Sequence, residues 1–431
     1  MPNEKAVLKK ILHTFGTKIM AAAIQFMIAV IISQTLGDAG KGTQSLLLTT
    51  ITFILIFSDI VSGESIVFLT PRHPFQHLLV PSVIWSALTA GVMGGLLPFV
   101  FHTGLDSGQM LHVAMLAFLA SLSGIHSRFL IGREEIKKAN HITLSQPVLL
   151  ISTLVVYHLF MKRGGISGYI IGLYVSYGGS LLLGIWTLRE QYRRLKNDPP
   201  ADHRAVLKDL FKYGFLNQTG HFVQFFNLRL SYYLLDYYLD EGRVGVFSNA
   251  VSLTEAIWII SNSIALVQYA RIANADDPAY AQRLTLSLGK ICLTVSAVAI
   301  IILALLPAQL YIFLFGPAFG EVGSLIRILA PGVLVYCLFL ILGHYYSGIG
   351  RYQMNTFASL CGLAATCLFG FTLIPSMGVT GAALTSTLSY IVNTVFLLCF
   401  FIKESGFRLR DLRLSREEIR NYISDIKQAF K

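Results

Sequence analysis

The sequence predicts an all-α integral membrane protein with twelve transmembrane helices, arranged as two pseudo-symmetric six-helix lobes around a central cavity. Of the 431 residues, 54% are hydrophobic and 13% are charged, whereas about 25% of a typical soluble domain is charged. Apolar runs of about 20 residues, which is the length that crosses a bilayer, recur along the whole chain. Short sequence patterns also recur between its two halves, which favours two related lobes.

The apolar runs and the connections between them define the predicted domains. The longest connection, 189–209, contains Asn197-Asp198-Pro199-Pro200 and divides six runs from six. We therefore predict an N-terminal lobe over 1–188, a cytoplasmic linker over 189–209, a C-terminal lobe over 210–402 and a basic amphipathic tail over 403–431. The predicted spans are 13–36, 43–69, 78–101, 109–131, 142–162, 166–188, 211–239, 244–270, 286–315, 322–347, 354–375 and 379–402.

The basic residues predict the orientation of the chain. An even number of spans puts both termini on one side, and a cytoplasmic placement gives about seven Lys or Arg inside for each one outside. The net charge of +11 is therefore interpreted as a topology signal, and no nucleic-acid partner is expected. The first apolar run has no small-residue cleavage site after it, so it is predicted to be a span and not a removed signal peptide.

Several patterns match between the halves. GISG at 165–168 matches GVTG at 378–381, and Gly42 after the first span matches Gly245 after the seventh. Because each half has an even number of spans, the two repeats point the same way and are related by an axis along the membrane normal. Two such lobes can rock about a central cavity and expose it to either side in turn.

Ionisable residues at membrane depth are the candidate functional groups, because they are costly there and usually face a cavity. Arg229 lies near the middle of the seventh span. Its guanidinium keeps its charge and offers a planar fork of donors, so we predict that it binds an anionic substrate. The alternative is an internal ion pair with Asp236 or Glu255. Arg229 can have both roles if the substrate displaces the carboxylate from it.

Lys18 and His221 are predicted to bind substrate toward the cytoplasmic mouth of the cavity. They lie at equivalent positions at the start of the first and seventh spans. Lys18 has a second interpretation, in which its ammonium only reaches the lipid headgroups. His221 has two others, as a proton carrier or as a neutral polar lining.

Asp59, Glu64 and Glu255 are candidates for ion coupling, because a buried carboxylate can bind Na+ or H+ and link a gradient to the transport cycle. The alternatives are pairing with Arg229 or Lys18, or a hydrogen bond to a broken helix. No catalytic residue, metal site or other cofactor is predicted. The five cysteines fall inside apolar spans and are interpreted as core residues. No GxxxxGK[ST] motif is present, so a nucleotide is not expected to drive transport.

Several segments resemble one known family, the polysaccharide exporters or O-antigen flippase-like proteins of the multidrug/oligosaccharidyl-lipid/polysaccharide flippase superfamily. The resemblance covers nearly the whole chain and does not indicate a particular sugar. It is strongest in LGDAGKGTQSLLLTT at 36–50, VGVFSNAVSLTEAIWIISNSIALVQYARIA at 244–273, FGPAFGEVGSLIRILAPGVLVYCL at 315–338, SGIGRYQMN at 347–355 and IPSMGVTGAALTSTLSY at 374–390.

The resemblance implies an alternating-access flippase in the bacterial inner membrane, with both termini cytoplasmic. Its expected substrate is an undecaprenyl-diphosphate-linked oligosaccharide, moved from the cytoplasmic to the outer leaflet for surface polysaccharide assembly. The expected partners are this lipid-linked sugar, the phospholipid bilayer and a downstream polysaccharide polymerase, and the protein is expected to be a monomer.

Two other functions were weighed against this one. The first is a multidrug or small-metabolite exporter of the same superfamily. The second is a membrane glycan polymerase or acyltransferase, which is disfavoured because the outer turns have about ten residues or fewer and leave no room for a catalytic loop domain. A capping box at Ser415–Glu418 predicts that the tail forms a short helix on the cytoplasmic leaflet.

Overall fold

The computed structural model describes the backbone of residues 4–100, 104–161, 165–194, 203–273 and 277–407, and every regular element in these ranges is helical. A 3-10 turn at Pro317–Phe319 accompanies the α-helices. The helices are α1 (Glu4–Ser62), α2 (Glu64–Leu69), α3 (Phe75–Val100), α4 (Ser107–Gly132), α5 (Ile136–Met161), α6 (Ile166–Thr187), α7 (Arg189–Arg194), α8 (His203–Tyr238), α9 (Glu241–Glu255), α10 (Trp258–Ala273), α11 (Pro278–Leu305), α12 (Ala308–Phe315), α13 (Val322–Gly348) and α14 (Gln353–Ser405).

Two of the helical stretches are too long for a single crossing. α1 and the adjoining α2 form an apolar stretch of 54 residues over Gly16–Leu69, and α14 has 53 residues. At 1.5 Å per residue, either stretch would be about 80 Å long if it were straight, against a hydrocarbon core of about 30 Å. Each therefore needs a bend if both of its ends are to lie at a membrane surface.

Both stretches bend at a glycine. Gly37 has φ 70° and ψ −166°, and Gly378 has φ 59° and ψ −132°. Positive φ is readily adopted only by glycine, because it has no Cβ. Gly37 falls between the first and second predicted spans, and Gly378 falls between the eleventh and twelfth. The predicted boundaries between these spans therefore coincide with backbone conformations that a regular α-helix does not contain.

Replacing Gly378 with alanine is expected to lower the free energy of unfolding by about 1–3 kcal/mol, because its φ and ψ lie in a region that is strained for any residue with a Cβ. Gly95→Ala on α3 is the control, since a Cβ there meets nothing within 4 Å. Thermal unfolding of the purified variants in detergent measures the difference. Equal melting temperatures for the two variants would show that the bend at Gly378 does not need glycine.

Nine helical stretches among the described residues are long and apolar enough to cross a membrane by length and composition. α8 is not one of them, because side chains such as His221, Arg229 and Asp236 lower its hydropathy. With 36 residues it is about 54 Å long, which is still enough to cross. The protein is therefore a multi-pass membrane protein. The count of twelve crossings in two six-helix lobes stays a prediction.

One predicted span, 286–315, is interrupted, and the expectation of a continuous helix is wrong there. A second, 244–270, contains a local turn but lies within one helical stretch of membrane length, Glu241–Tyr269. In the span 286–315, α11 ends at Leu305 and α12 begins at Ala308. Pro307 lies between them; it lacks an N–H and restricts the residue before it to extended conformations. The span 244–270 is divided by a turn at 256–257 between α9 and α10.

The helices of the two predicted halves meet mainly through α1 and α8. α1 packs along α9 and against α8, and α2 and α3 also contact α8. Within the predicted N-terminal half, α5 packs on α6 and α4 packs on α6 and α3. Within the predicted C-terminal half, α13 packs on α14, α11 and α10, and α8 packs on α14. α1 therefore forms most of the boundary, packing along α9 and against α8.

The predicted linker begins with α7, which is fixed to the preceding helices by Tyr192. The Nδ1–H of His126 on α4 donates to the carbonyl oxygen of Leu122 at 2.7 Å, so its Nε2 accepts from the Tyr192 hydroxyl at 2.7 Å. Burial raises the pKa of Tyr192 to about 12, which keeps this hydroxyl protonated as a donor. Linker residues 195–202 and the predicted tail helix, with its capping box at Ser415–Glu418, lie outside the described residues.

Candidate functional site

Arg229 on α8 and Glu255 at the end of α9 form a bidentate ion pair. Nη1 of the guanidinium donates to Oε1 of Glu255 at 2.9 Å, and Nη2 donates to Oε2 at 2.8 Å. The side chains are 28% and 15% exposed, respectively. Two parallel charge-assisted bonds are the strongest arrangement available to an arginine and a carboxylate. Of the two partners that the sequence offered for Arg229, the structure selects Glu255.

The interruption between α9 and α10 explains why this pair forms where it does. The turn at 256–257 ends α9 at Glu255, so the carboxylate lies at a helix C-terminus, where the helix dipole disfavours a negative charge. The positive charge of Arg229 offsets both the dipole and the cost of burying the carboxylate.

Aromatic side chains surround the pair. The Arg229 guanidinium carbon lies 5.4 Å from the centroid of the Tyr232 ring, within the range of a cation–π contact. The Tyr390 hydroxyl donates to Oε1 of Glu255 at 3.4 Å. The Tyr336 ring packs 4.4 Å from the ring of Trp258 and 5.1 Å from that of Tyr390, measured between centroids. These rings are buried, so they hold the pair from one side while it stays partly open on another.

A second ion pair at membrane depth joins Arg128 on α4 to Asp59 on α1. Nη2 of Arg128 lies 2.6 Å from Oδ2 of Asp59, and the side chains are 20% and 18% exposed. The sequence analysis did not single out Arg128, because it lies five residues before Arg133 and was grouped with the basic residues of that turn. Its place inside the fourth predicted span was the available signal. Asp59 pairs with neither Arg229 nor Lys18, whereas Glu255 takes the pairing with Arg229 that was the alternative to ion coupling.

The remaining predicted site residues are not held in ion pairs within the described ranges. Lys18, Glu64 and His221 are all exposed. Glu64 begins α2 directly after α1, and α8 contacts the same end of α1, where a Cβ on Gly63 would lie 3.1 Å from Nε2 of Gln218, three residues before His221. The structure therefore divides the predicted residues into two groups. Arg229 and Glu255 form one, and Asp59, Glu64 and His221 gather with Arg128 in the other.

Each of the two ion pairs lies inside one predicted half of the chain. Asp59 and Arg128 both belong to 1–188, and Arg229 and Glu255 both belong to 210–402. In the group around Asp59 and Arg128, His221 is the member that comes from the C-terminal half, since it lies on α8. In the part of the chain that the structure describes, no three or more His, Cys, Asp or Glu side chains are placed to hold a metal ion.

A buried cluster of neutral polar groups links α8 to α14, and sequence reasoning missed it because its members carry no charge. Thr366 and Ser389 both donate to Oδ1 of Asn227, the former at 3.0 Å. Asn393 fits against Gly362, where any Cβ would overlap its amide. The Nδ2 of Asn227 and both amide atoms of Asn393 are buried without a hydrogen-bond partner among the described residues. Such groups are costly unless a partner is supplied.

α1 and α9 come into backbone contact across the boundary between the halves. A Cβ on Gly42 would overlap the carbonyl oxygen of Glu241, and a Cβ on Gly245 would overlap that of Asp38. Thr43 also donates a hydrogen bond to the Glu241 carboxylate. These glycines are therefore required for the close approach. The contact closes one end of the boundary, which is the outer end in the predicted topology.

The N-terminal part of α1 is mostly uncovered. Ile28 and Ile32 are buried, whereas residues 16–27 are mostly exposed. α10, which continues from α9, exposes Leu266 and Val267. Away from the contact at Gly42 and Gly245, both α1 and α10, which follows α9, therefore carry uncovered apolar faces. The halves meet again near the C-terminal end of α1, because a Cβ on Gly214 of α8 would overlap the carbonyl oxygen of Ile60. The uncovered faces of residues 16–27 and α10 are therefore candidates for a lateral entrance.

Comparison with known proteins identifies a family and relatives that this chain resembles. A family model described as polysaccharide biosynthesis protein matches residues 7–275. The capsular polysaccharide biosynthesis protein CapF of Staphylococcus aureus is 21% identical over 408 residues, covering 92% of this chain and 99% of that protein. An uncharacterized membrane protein of Methanocaldococcus jannaschii is 21% identical over 294 residues. That match covers 66% of this chain, which spans only 57% of the relative's length.

Two solved structures share the fold. The lipid II flippase MurJ in an inward closed conformation has a TM-score of 0.73 at 14% identity, over 94% of this chain and 89% of that one. An inward-facing multidrug resistance MATE family transporter of the MOP superfamily has a TM-score of 0.70, also at 14% identity, over 92% of this chain and 98% of that one.

The helical architecture and the charged groups at membrane depth define a multi-pass membrane protein with the fold of the MOP-superfamily transporters. Because the family model covers more than half of its length, the chain belongs to the polysaccharide biosynthesis protein family. The resemblance stated from the sequence motifs is thereby confirmed.

Proposed function

We propose that this protein is an alternating-access flippase for an undecaprenyl-diphosphate-linked oligosaccharide, which it moves from the cytoplasmic to the outer leaflet of the bacterial inner membrane for surface polysaccharide assembly. The observation that carries the proposal is the half-open Arg229–Glu255 pair at membrane depth. A transporter of anionic lipids needs a fixed cation where the headgroup crosses, and it must neutralise that cation when no substrate is bound.

The geometry of the pair suits an exchange of anions. Both oxygens of Glu255 are engaged by the two Nη groups of Arg229 at 2.8–2.9 Å. A phosphate offers the same two-oxygen edge to a guanidinium fork as a carboxylate does. The substrate can therefore take the place of Glu255 without a new arrangement of the arginine. Glu255 keeps the Tyr390 hydroxyl as a donor when it is displaced.

A lateral entrance between the uncovered faces of α1 and α10 would suit a substrate that has lipid tails. A headgroup can enter sideways between the exposed faces of residues 16–27 and α10 while its acyl chain stays in the bilayer. In the predicted topology, with twelve crossings and both termini in the cytoplasm, this opening faces the cytoplasmic leaflet. The exposed Lys18 lies on the same segment and would meet the arriving phosphates.

The membrane potential supplies part of the driving force. Moving two negative charges out of an inside-negative cell at 100 mV releases on the order of 4–5 kcal/mol. Coupling to Na+ or H+ is part of the proposal, with Asp59, Glu64 and Glu255 as candidates. The unpartnered Oδ1 of Asn393 marks a further place where a neutral oxygen could help to hold a cation. A downstream polysaccharide polymerase would consume the product on the outer side.

A flipping assay with purified protein in lipid vesicles tests the proposal. A fluorescent lipid-diphosphate-linked oligosaccharide is placed in both leaflets, and a membrane-impermeant quencher reports the fraction that reaches the outer one. We expect rapid access to the inner-leaflet pool only with the protein present. Organic cations form the comparison arm, because the MATE-like fold also suits a multidrug exporter. Transport of the cations without transport of the lipid-linked sugar would favour that second function.

A further inference from the structure

We propose that Arg128 and His221, with Asp59 as a displaceable counter-ion, form a second binding point for the diphosphate of the lipid-linked sugar, distinct from the Arg229 site and occupied before it. This inference rests on the proposed function. It assigns a binding role to Arg128, which lies on a different helix and in the other half of the chain from Arg229. The two sites would act in sequence along α8.

The Asp59–Arg128 pair is the more easily exchanged of the two. Within the described part of the chain, the Arg128 guanidinium makes one hydrogen bond, from Nη2 to Oδ2 of Asp59 at 2.6 Å. Oδ1 of Asp59 is buried without a hydrogen-bond partner among the described residues. Glu255, by contrast, accepts from both Nη groups of Arg229 and from Tyr390. Displacing Asp59 therefore breaks fewer bonds, and a phosphate can satisfy more of the donors that Arg128 offers.

The fold leaves room for the guanidinium beside α4. Gly124 lies one turn before Arg128, and a Cβ there would be 2.8 Å from Nη1 of Arg128. Any larger residue at 124 would push the guanidinium away from its present position. With 20% of its side chain exposed, Arg128 is neither fully buried, as a structural pair would be, nor free to move in bulk solvent.

His221 provides a second donor from the opposite side of the boundary. It is exposed and lies on α8, which contacts α1 next to Asp59: a Cβ on Gly214 would overlap the carbonyl oxygen of Ile60. Glu64 also faces Asp59 and adds a like charge. A dianionic diphosphate can therefore bind only when Asp59 moves off Arg128 or becomes neutral. Asp59 thus acts as a competitor for the site, and this gives the inference a distinctive consequence.

The two sites are spaced for a handover. His221 and Arg229 are eight residues apart on one helix, which at 1.5 Å per residue is about 12 Å along α8. A diphosphate first held by Arg128 and His221 would reach Arg229 by moving that distance toward the closed end. In the predicted topology, His221 lies nearer the cytoplasmic end of α8 than Arg229 does. Entry at His221 and Arg128 followed by transfer to Arg229 matches the direction of the proposed transport.

Binding of undecaprenyl diphosphate to the full-length protein in nanodiscs tests this assignment. Undecaprenol, which has no phosphate, and inorganic pyrophosphate, which has no lipid, are the comparison probes. We expect Arg128→Gln to weaken undecaprenyl diphosphate binding about tenfold, the loss of roughly one charge-assisted hydrogen bond. Asp59→Asn removes the competitor and is expected to tighten binding. A purely structural pair would not produce tighter binding on loss of one partner.

Arg351→Gln is the matched control, because it breaks an Arg–Glu pair of 2.8 Å at the exposed end of α14, and it should bind as the wild type does. The double variant Arg128→Gln/Asp59→Asn leaves no unpaired charge and keeps the test valid if Arg128→Gln alone unfolds; its binding should stay weak. The inference is overturned if Asp59→Asn fails to tighten binding or Arg128→Gln binds normally while Arg229→Gln binds weakly. If the wild type does not distinguish undecaprenyl diphosphate from undecaprenol, the proposed function itself fails.

Discussion

Arg229→Gln is expected to lower the rate of lipid-linked sugar flipping by about 30-fold or more, because removing one partner from a buried, hydrogen-bonded charge pair costs about 2–5 kcal/mol in binding. The change removes the fixed cation on α8 that the diphosphate would contact at membrane depth. The flipping assay in vesicles measures the rate, and restoration of a surface glycan in a deletion strain gives the cellular readout.

Stability and function must be separated for this variant. Arg229→Gln leaves Glu255 without its cation, and we expect a loss of about 2–3 kcal/mol in stability, less than for a fully buried pair, because both side chains are partly exposed. Arg229→Gln/Glu255→Gln removes both charges and should recover most of that stability without recovering transport. Normal flipping by the double variant would show that the pair only holds α8 to α9 and that the substrate is bound elsewhere.

Valine at Gly42 or Gly245 is expected to prevent closure of the contact between α1 and α9 and to reduce transport at least tenfold. In both cases the new side chain would overlap a backbone carbonyl, which cannot move aside as a side chain does. The protein should still fold if the boundary opens at this end, since alternating access requires that state. Spin labels at the exposed positions Ala39 and Arg243 would report a longer distance between the two helices.

Gly91→Val on α3 is the control for these variants, because a Cβ there meets nothing within 4 Å. It should leave both the label distance and the transport rate as in the wild type. An unchanged distance distribution in Gly42→Val and Gly245→Val, together with normal transport, would show that the close approach is incidental to the cycle.

The sequence predicted the class of fold well because the bilayer imposes simple lengths and a strong contrast in polarity. It also matched Gly42 to Gly245, and these two residues lie on the two helices that touch in the structure. It could not predict the turn that divides α9 from α10, because the residues at 256–257 are compatible with a helix. It missed the role of Pro307 for a different reason, since apolar residues continue on both sides and hide the break.

Within the candidate site, single residues were easier to find than their partners. Arg229 stood out as a charge inside an apolar run, but three-dimensional packing decided that Glu255 and not Asp236 would meet it. Arg128 was overlooked because a basic residue near a helix end is usually a topology signal. Asn227 and Asn393 carry no charge, so nothing in composition distinguishes them from ordinary polar core residues. Their significance comes only from the buried atoms that lack hydrogen-bond partners among the described residues, Nδ2 of Asn227 and both amide atoms of Asn393.

The placement of each ion pair within a single half has an electrical consequence. In the proposed cycle, the empty protein would carry Arg128 with Asp59 and Arg229 with Glu255 as it resets, so each moving unit would carry compensated charge through the field. Without a coupling ion, this return step should be nearly insensitive to voltage, and the potential would act on the cargo alone. A carrier of this kind would be accelerated by membrane polarisation only while it is loaded.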